Sequence, residues 1–230
     1  MNSSFQTPYS ANSGVAAVRN RVLRNTYWLL AISMLPTVLG AWIGLQVKFS
    51  LFAASPMIGF IAFLAIAFGF FYAIEKTKHS VTGVGVLLGF TFFMGLMLSR
   101  LLEHILNFSN GTTLIMTAFG GTAAIFAVMA TVATTSKRDF SGMASWLFAG
   151  VLVIILAAVA NIFLQMPLLQ VVISAIAIFI FSAFILVDVQ RVVNGGETNY
   201  ITATLSIYLS VYNIFVNLLS LLGIFGGERD

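Results

Sequence analysis

The chain has 230 residues, 60% of them hydrophobic and only 8% charged, with a formal net charge of +4 and no cysteine. So few polar groups cannot cover a soluble domain of this size, and a mean hydropathy of +1.02 points to lipid rather than water as the solvent. The lack of cysteine excludes disulfides and thiolate chemistry, and basic residues that flank apolar runs, without interleaved aromatics, exclude nucleic acid as a partner.

Residues 1–25, opening MNSSFQTPYSANSGVAAVRNR, are polar, rich in Ser and Asn, and lack the apolar core of a cleaved signal peptide. They read as a disordered tail. A membrane-crossing helix needs about 20 mostly apolar residues. Residues 26–226 supply seven such runs, near 27–47, 51–74, 80–99, 112–135, 144–165, 168–190 and 201–225, and 227–230 remain as a short tail. The connections are too short for a second domain. The expected fold class is therefore all-α: a polytopic membrane protein with seven transmembrane helices.

In the first run Pro36 removes a backbone donor and predicts a bend, and Gly40-x-x-x-Gly44 offers a surface on which another helix can approach closely. Pro56, after Ser55, fits the first turn of the second helix. The third run carries a second small-residue pair, Gly85-x-x-x-Gly89. Glu75-x-x-x-His79 and Glu103-His104 place acids near imidazoles at span ends, but neither has the spacing that sets two metal ligands and a base on one helix face. No nucleophile elbow or phosphate-cradling loop is present. No catalytic residues, metal ligands or cofactor are expected, and the chain does not read as an enzyme.

The sixth run ends in Asp188, with Arg191 one turn later. An ionisable group inside a span is costly and often marks an ion or proton pathway, while the alternative is an ordinary interfacial pair with Arg191. The seventh run carries Ser206, Ser210, Asn213, Asn217 and Ser220 at steps of four and three, hence on one helical face. Unpaired amides are unfavourable in hydrocarbon. This face should look into the bundle, lining an ion path or hydrogen-bonding to neighbouring helices, and the last helix should be central.

The basic residues sort by side. Alternating the seven spans puts Arg19, Arg21, Arg24, Lys76, Lys78, Lys137, Arg138 and Arg191 together and leaves Lys48, Arg100 and Arg229 opposite. The positive-inside rule then places the N-terminus in the cytoplasm and the C-terminus outside.

Asp188-Val189-Gln190, the turn Gly195-Gly196-Glu197, and Tyr208-Leu209 followed by Asn213-Ile214-Phe215 together resemble the signature of the Bax inhibitor-1 (transmembrane Bax inhibitor motif) family. VLRNTYWLL (22–30), GGTAAIF (120–126), ANIFLQMP (160–167) and GGETNYITATLS (195–206) are similar to its bacterial, YccA-like branch. That resemblance implies a multi-pass protein of the bacterial inner membrane, with its C-terminus in the periplasm, that binds and modulates the FtsH-type membrane-anchored AAA protease. The wider family implies an alternative, a calcium or proton leak gated at Asp188, with Ser210, Asn213 and Asn217 along the pathway and Arg191, Glu197 and Glu75 as interfacial partners. In its better-understood members the acid matching Asp188 pairs with an aspartate on the seventh helix to form a pH-sensitive latch. Here that second position is Ser210, and residues 51–74 hold no basic side chain where those members carry an arginine. Two carboxylates in contact share a proton; one carboxylate beside a hydroxyl does not.

Overall fold

A computed structural model describes residues 9–51 and 55–228, with side chains described from Val18 onward. Among the described residues there are seven α-helices and no strands: α1 (Tyr9–Gln46), α2 (Pro56–Thr77), α3 (Val81–Leu106), α4 (Gly111–Thr135), α5 (Ala144–Leu164), α6 (Pro167–Val193) and α7 (Tyr200–Gly226), with one 3-10 turn, Ser141–Met143, before α5. All seven are long and apolar enough to cross a membrane.

The helix ends follow local chemistry. Pro56 and Pro167 occupy the first turns of α2 and α6, where their missing N–H groups would have been unpaired in any case. The second helix accordingly starts five residues later than its apolar run. The third continues past the expected end at residue 99 to Leu106, stabilised by helix-forming leucines and an Arg100–Glu103 pair at 3.0 Å. The first begins at Tyr9 and passes unbroken through Pro36. The expected tail 1–25 is thus helical from Tyr9 on: Ala16, Ala17, Leu23 and the three arginines favour a helix from Val15, while YSANSG ahead of them has no such preference; the first eight residues, and residues 229–230 of the short C-terminal tail, lie outside the described residues.

The α1–α3 crossing is the tightest in the bundle. A β-carbon on Gly40 would run into the backbone of Phe92, and one on Gly95 into that of Thr37. Both helices can approach only because these positions carry no side chain. A β-carbon on Gly44 would run into the Ser99 side chain, so the first small-residue pair works as expected. The second does not: a β-carbon at Gly85 meets nothing within 4 Å, and one at Gly89 only the edge of Phe70.

The last helix lies at the centre. It packs on α1, α2, α3, α4 and α6, and none of residues 201–223 is exposed. Peripheral α5 packs principally on α6 and turns Phe148, Val153, Leu156 and Phe163 outward, the pattern of a lipid-facing helix.

The alternating course puts the α2–α3 turn, the α4–α5 loop and the α6–α7 turn at one end, and cross-links join them. Asn199 Nδ2 donates to the Lys78 carbonyl (2.7 Å), and Gln190 bonds the loop at Arg138 and Phe140. At the other end Asn110 Nδ2 donates to the Gly226 carbonyl (2.6 Å) and the Ser109 N–H to that of Glu228 (3.1 Å). The central helix is therefore fastened at both ends.

Candidate functional site around Asp188 and the last helix

Asp188 stands near the end of α6, half-buried between Val187 and Val189, both core residues. Among the described residues it has no hydrogen-bond or ion-pair partner. Arg191 and Glu197 are the charges whose fields reach it, yet Arg191 is exposed and no pair forms within 4 Å. Glu75 is turned to the surface, paired with Lys78.

The helix end behind Asp188 is closed by its glycine turn. The Gly196 N–H donates to the Arg191 carbonyl (2.9 Å) and the Gly195 N–H to that of Val192 (3.1 Å), with Gly195 at φ +79°. This is the paired-bond ending that requires the left-handed conformation glycine supplies. The chain then passes Glu197, whose Oε1 accepts the Asn199 N–H at 2.8 Å, and starts α7 at Asn199. Asn199 Oδ1 accepts the N–H groups of Ile201 (2.9 Å) and Thr202 (3.2 Å), satisfying two otherwise unpaired donors.

The polar residues of α7 bond within their own helix. The Ser210 hydroxyl donates to the Ser206 carbonyl (3.2 Å), Asn213 Nδ2 to Leu209 (2.8 Å) and Asn217 Nδ2 to Asn213 (2.8 Å). Ser210 is buried and the two asparagines half-buried. No bond joins Ser210 to Asp188. Cross-helix bonds come from the opposite flank of α7 instead. The Tyr208 hydroxyl meets Thr37 Oγ1 at 2.8 Å, the Tyr212 hydroxyl donates to the Met94 carbonyl at 3.0 Å, and Thr204 Oγ1 reaches the Thr26 carbonyl at 3.3 Å. At 3.5 Å from the Thr91 carbonyl, Tyr208 adds little there.

Two anchoring residues lie within the motifs that carry the family resemblance but are not among the candidate site residues. Gln190, 4% exposed, donates from Nε2 to the Arg138 carbonyl (2.6 Å) and accepts the Phe140 N–H on Oε1 (2.7 Å). Asn199 holds the α2–α3 turn by a single bond, from Nδ2 to the Lys78 carbonyl. An Asn just ahead of an apolar helical run is a legible start signal; Gln190 is marked only by its place in the family signature, which does not say which loop it holds. In the loop that Gln190 holds, the Ser141 backbone and hydroxyl keep the Asp139 carboxyl below its ordinary value. That contribution is present above the ordinary carboxylate range and fades as pH falls through the lowered value. Among the described residues no three His, Asp or Glu side chains gather as a metal site.

Residues 19–227 match the family model described as Inhibitor of apoptosis-promoting Bax1. The chain is 39% identical over 204 residues to the Modulator of FtsH protease YccA of Escherichia coli K12, covering 89% of this chain and 90% of that protein. The Inner membrane protein YccA of E. coli strain CFT073 matches to the same extent. An uncharacterised protein of Neisseria meningitidis serogroup A is 37% identical over 212 residues, covering 91% and 93% of the two chains. With seven membrane-length apolar helices and relatives of this kind, the molecule is a multi-pass membrane protein.

Proposed function

Because this chain belongs to the Bax inhibitor-1 family, we propose that it binds and modulates an FtsH-type membrane-anchored AAA protease of the bacterial inner membrane, acting by association rather than by chemistry of its own. The observation that carries the reading is the match to the relative named as a modulator of that protease, which runs through nearly the whole of both chains. The central helix, fastened at both ends by Asn199 and Asn110, suits a partner that must resist extraction from the membrane. The polar segment before Arg19 is the longest available for a processive enzyme to engage. Co-purification of the tagged chain with the protease is the expected result, and deleting residues 1–18 should slow its turnover while the bundle stays folded. Failure of the two proteins to associate in detergent and in membranes would sink the reading.

A second reading is a cation or proton leak. It is favoured by one observation: Asp188 is half-buried on α6 and has no ion-pair partner among the described residues, the situation in which an intramembrane carboxylate defaults to a functional role. Liposomes containing this protein alone test it. Flux of calcium or protons that Asp188→Asn abolishes supports the leak; flux equal to that of empty liposomes at every pH rules it out.

A further inference from the structure

The sequence spreads its basic residues over distant segments, and the fold draws them together around the end of α6. Gln190 holds the carbonyl of Arg138 and the N–H of Phe140, so Lys137 and Arg138 are fastened beside Arg191. Val22 packs with Val192 and Ala203, which brings the α1 turn bearing Arg19, Arg21 and Arg24 to the same helix end. All six of these basic side chains are exposed, and none takes part in an ion pair among the described residues. Among the described residues, none of the acids of this end forms an ion pair with these six. Asp139 accepts the Ser141 N–H, Glu197 that of Asn199, Glu75 pairs with Lys78, and Asp188 is half-buried.

Exposed aromatic rings accompany the charges. Trp28, 67% exposed, lies one turn after Arg24, and Trp146, 82% exposed, opens α5 just beyond Arg138. On α2, Lys76 sits 5.5 Å from the ring centre of exposed Tyr72. From Trp28 the outer face of α1 continues with Ile32 and Leu35, and from Trp146 that of α5 continues with Val153 and Leu156, all exposed. Unpaired arginines, then interfacial rings, then bare hydrocarbon-facing side chains make up a vertical profile matching phosphate, glycerol and acyl chain.

We propose that this end of the bundle is a binding surface for anionic phospholipid, with Arg24, Arg138 and Arg191 receiving the headgroup phosphate and Trp28 and Trp146 seated at headgroup level beside them. An acidic protein would match the charge but not the apolar continuation below it. The site depends on neither proposed activity, and it holds whichever leaflet this end faces.

The test is native mass spectrometry of the full-length protein released from micelles holding equal phosphatidylglycerol and phosphatidylcholine. The native chain should retain phosphatidylglycerol preferentially. Each of Arg24→Gln, Arg138→Gln and Arg191→Gln should weaken that retention roughly fivefold, and the triple variant should retain both lipids alike. Lys48→Gln with Arg100→Gln, at the opposite end, should change nothing. Equal retention of the two lipids by the native chain overturns the proposal, as does equal loss in the opposite-end control. Displacement of the lipid by a soluble poly-glutamate peptide at matched charge would assign the surface to an acidic protein and also overturns it. The substituted side chains are exposed, and unfolding in phosphatidylcholine alone checks that the fold persists; should the triple variant fail to fold, Arg191→Gln carries the test.

Discussion

At the scale of single residues, the two flanks of α7 make opposite use of polar atoms. Tyr208 ties three helices together through its ring and its bond to Thr37, whereas Asn217 satisfies itself on Asn213 in its own helix. Tyr208→Phe should therefore cost about 1 kcal/mol, the size of a polar contact between membrane helices, while Asn217→Leu should change stability by less than about 0.5 kcal/mol. Unfolding in mixed micelles ranks the two; the reverse order would mean that the amides have cross-helix partners. Gln190→Leu strips two bonds from the α4–α5 loop and should cost about 1–3 kcal/mol, because the Arg138 carbonyl and the Phe140 N–H both lose their partner. Ser210→Asp tests the absent second carboxylate. If the leak reading holds, the variant should gain a flux that changes steeply between roughly pH 5 and 8, since a close carboxylate pair shares one proton, and Asp188→Asn in that background should remove it. A native flux with the same steep profile would show that Ser210 is no obstacle.

Among the elements, the crossing of α1 on α3 and the start of α7 carry the most specific information. Gly40→Leu or Gly95→Leu forces a side chain into the facing backbone and should destabilise by about 1–3 kcal/mol or prevent assembly. Gly85→Leu meets open space and should be tolerated, so expression and unfolding of the three variants decide whether close approach is confined to one pair. The motifs Gly40-x-x-x-Gly44 and Gly85-x-x-x-Gly89 are indistinguishable in the sequence. They part ways because a small-residue pair acts only when a second helix crosses it, and which helix crosses where is a property of the assembled bundle.

For the molecule as a whole, the positive end is the observation with the widest reach. The structure collects at one end the same basic residues that the span count groups together, joined by bonds from Asn199 and Gln190. A reporter fused at the N-terminus should be cytoplasmic and one after Asp230 periplasmic; two fusions on one side would contradict an odd number of crossings. The sequence by itself determined the solvent, the number of spans, the family and the segregation of charge, because apolar run length, loop charge and a contiguous motif are written locally along the chain. It also marked the last helix as central, since an amide-bearing face has to be sheltered from lipid. Only the tertiary structure decided how that shelter is used, with amides closing on their own helix and tyrosines reaching across. It alone left Asp188 without a partner among the described residues, set Gly40 and Gly95 in one helix crossing, and gathered arginines from three segments around one helix end. Those outcomes depend on which faces meet across separations of 50 residues or more, and no local pattern records that.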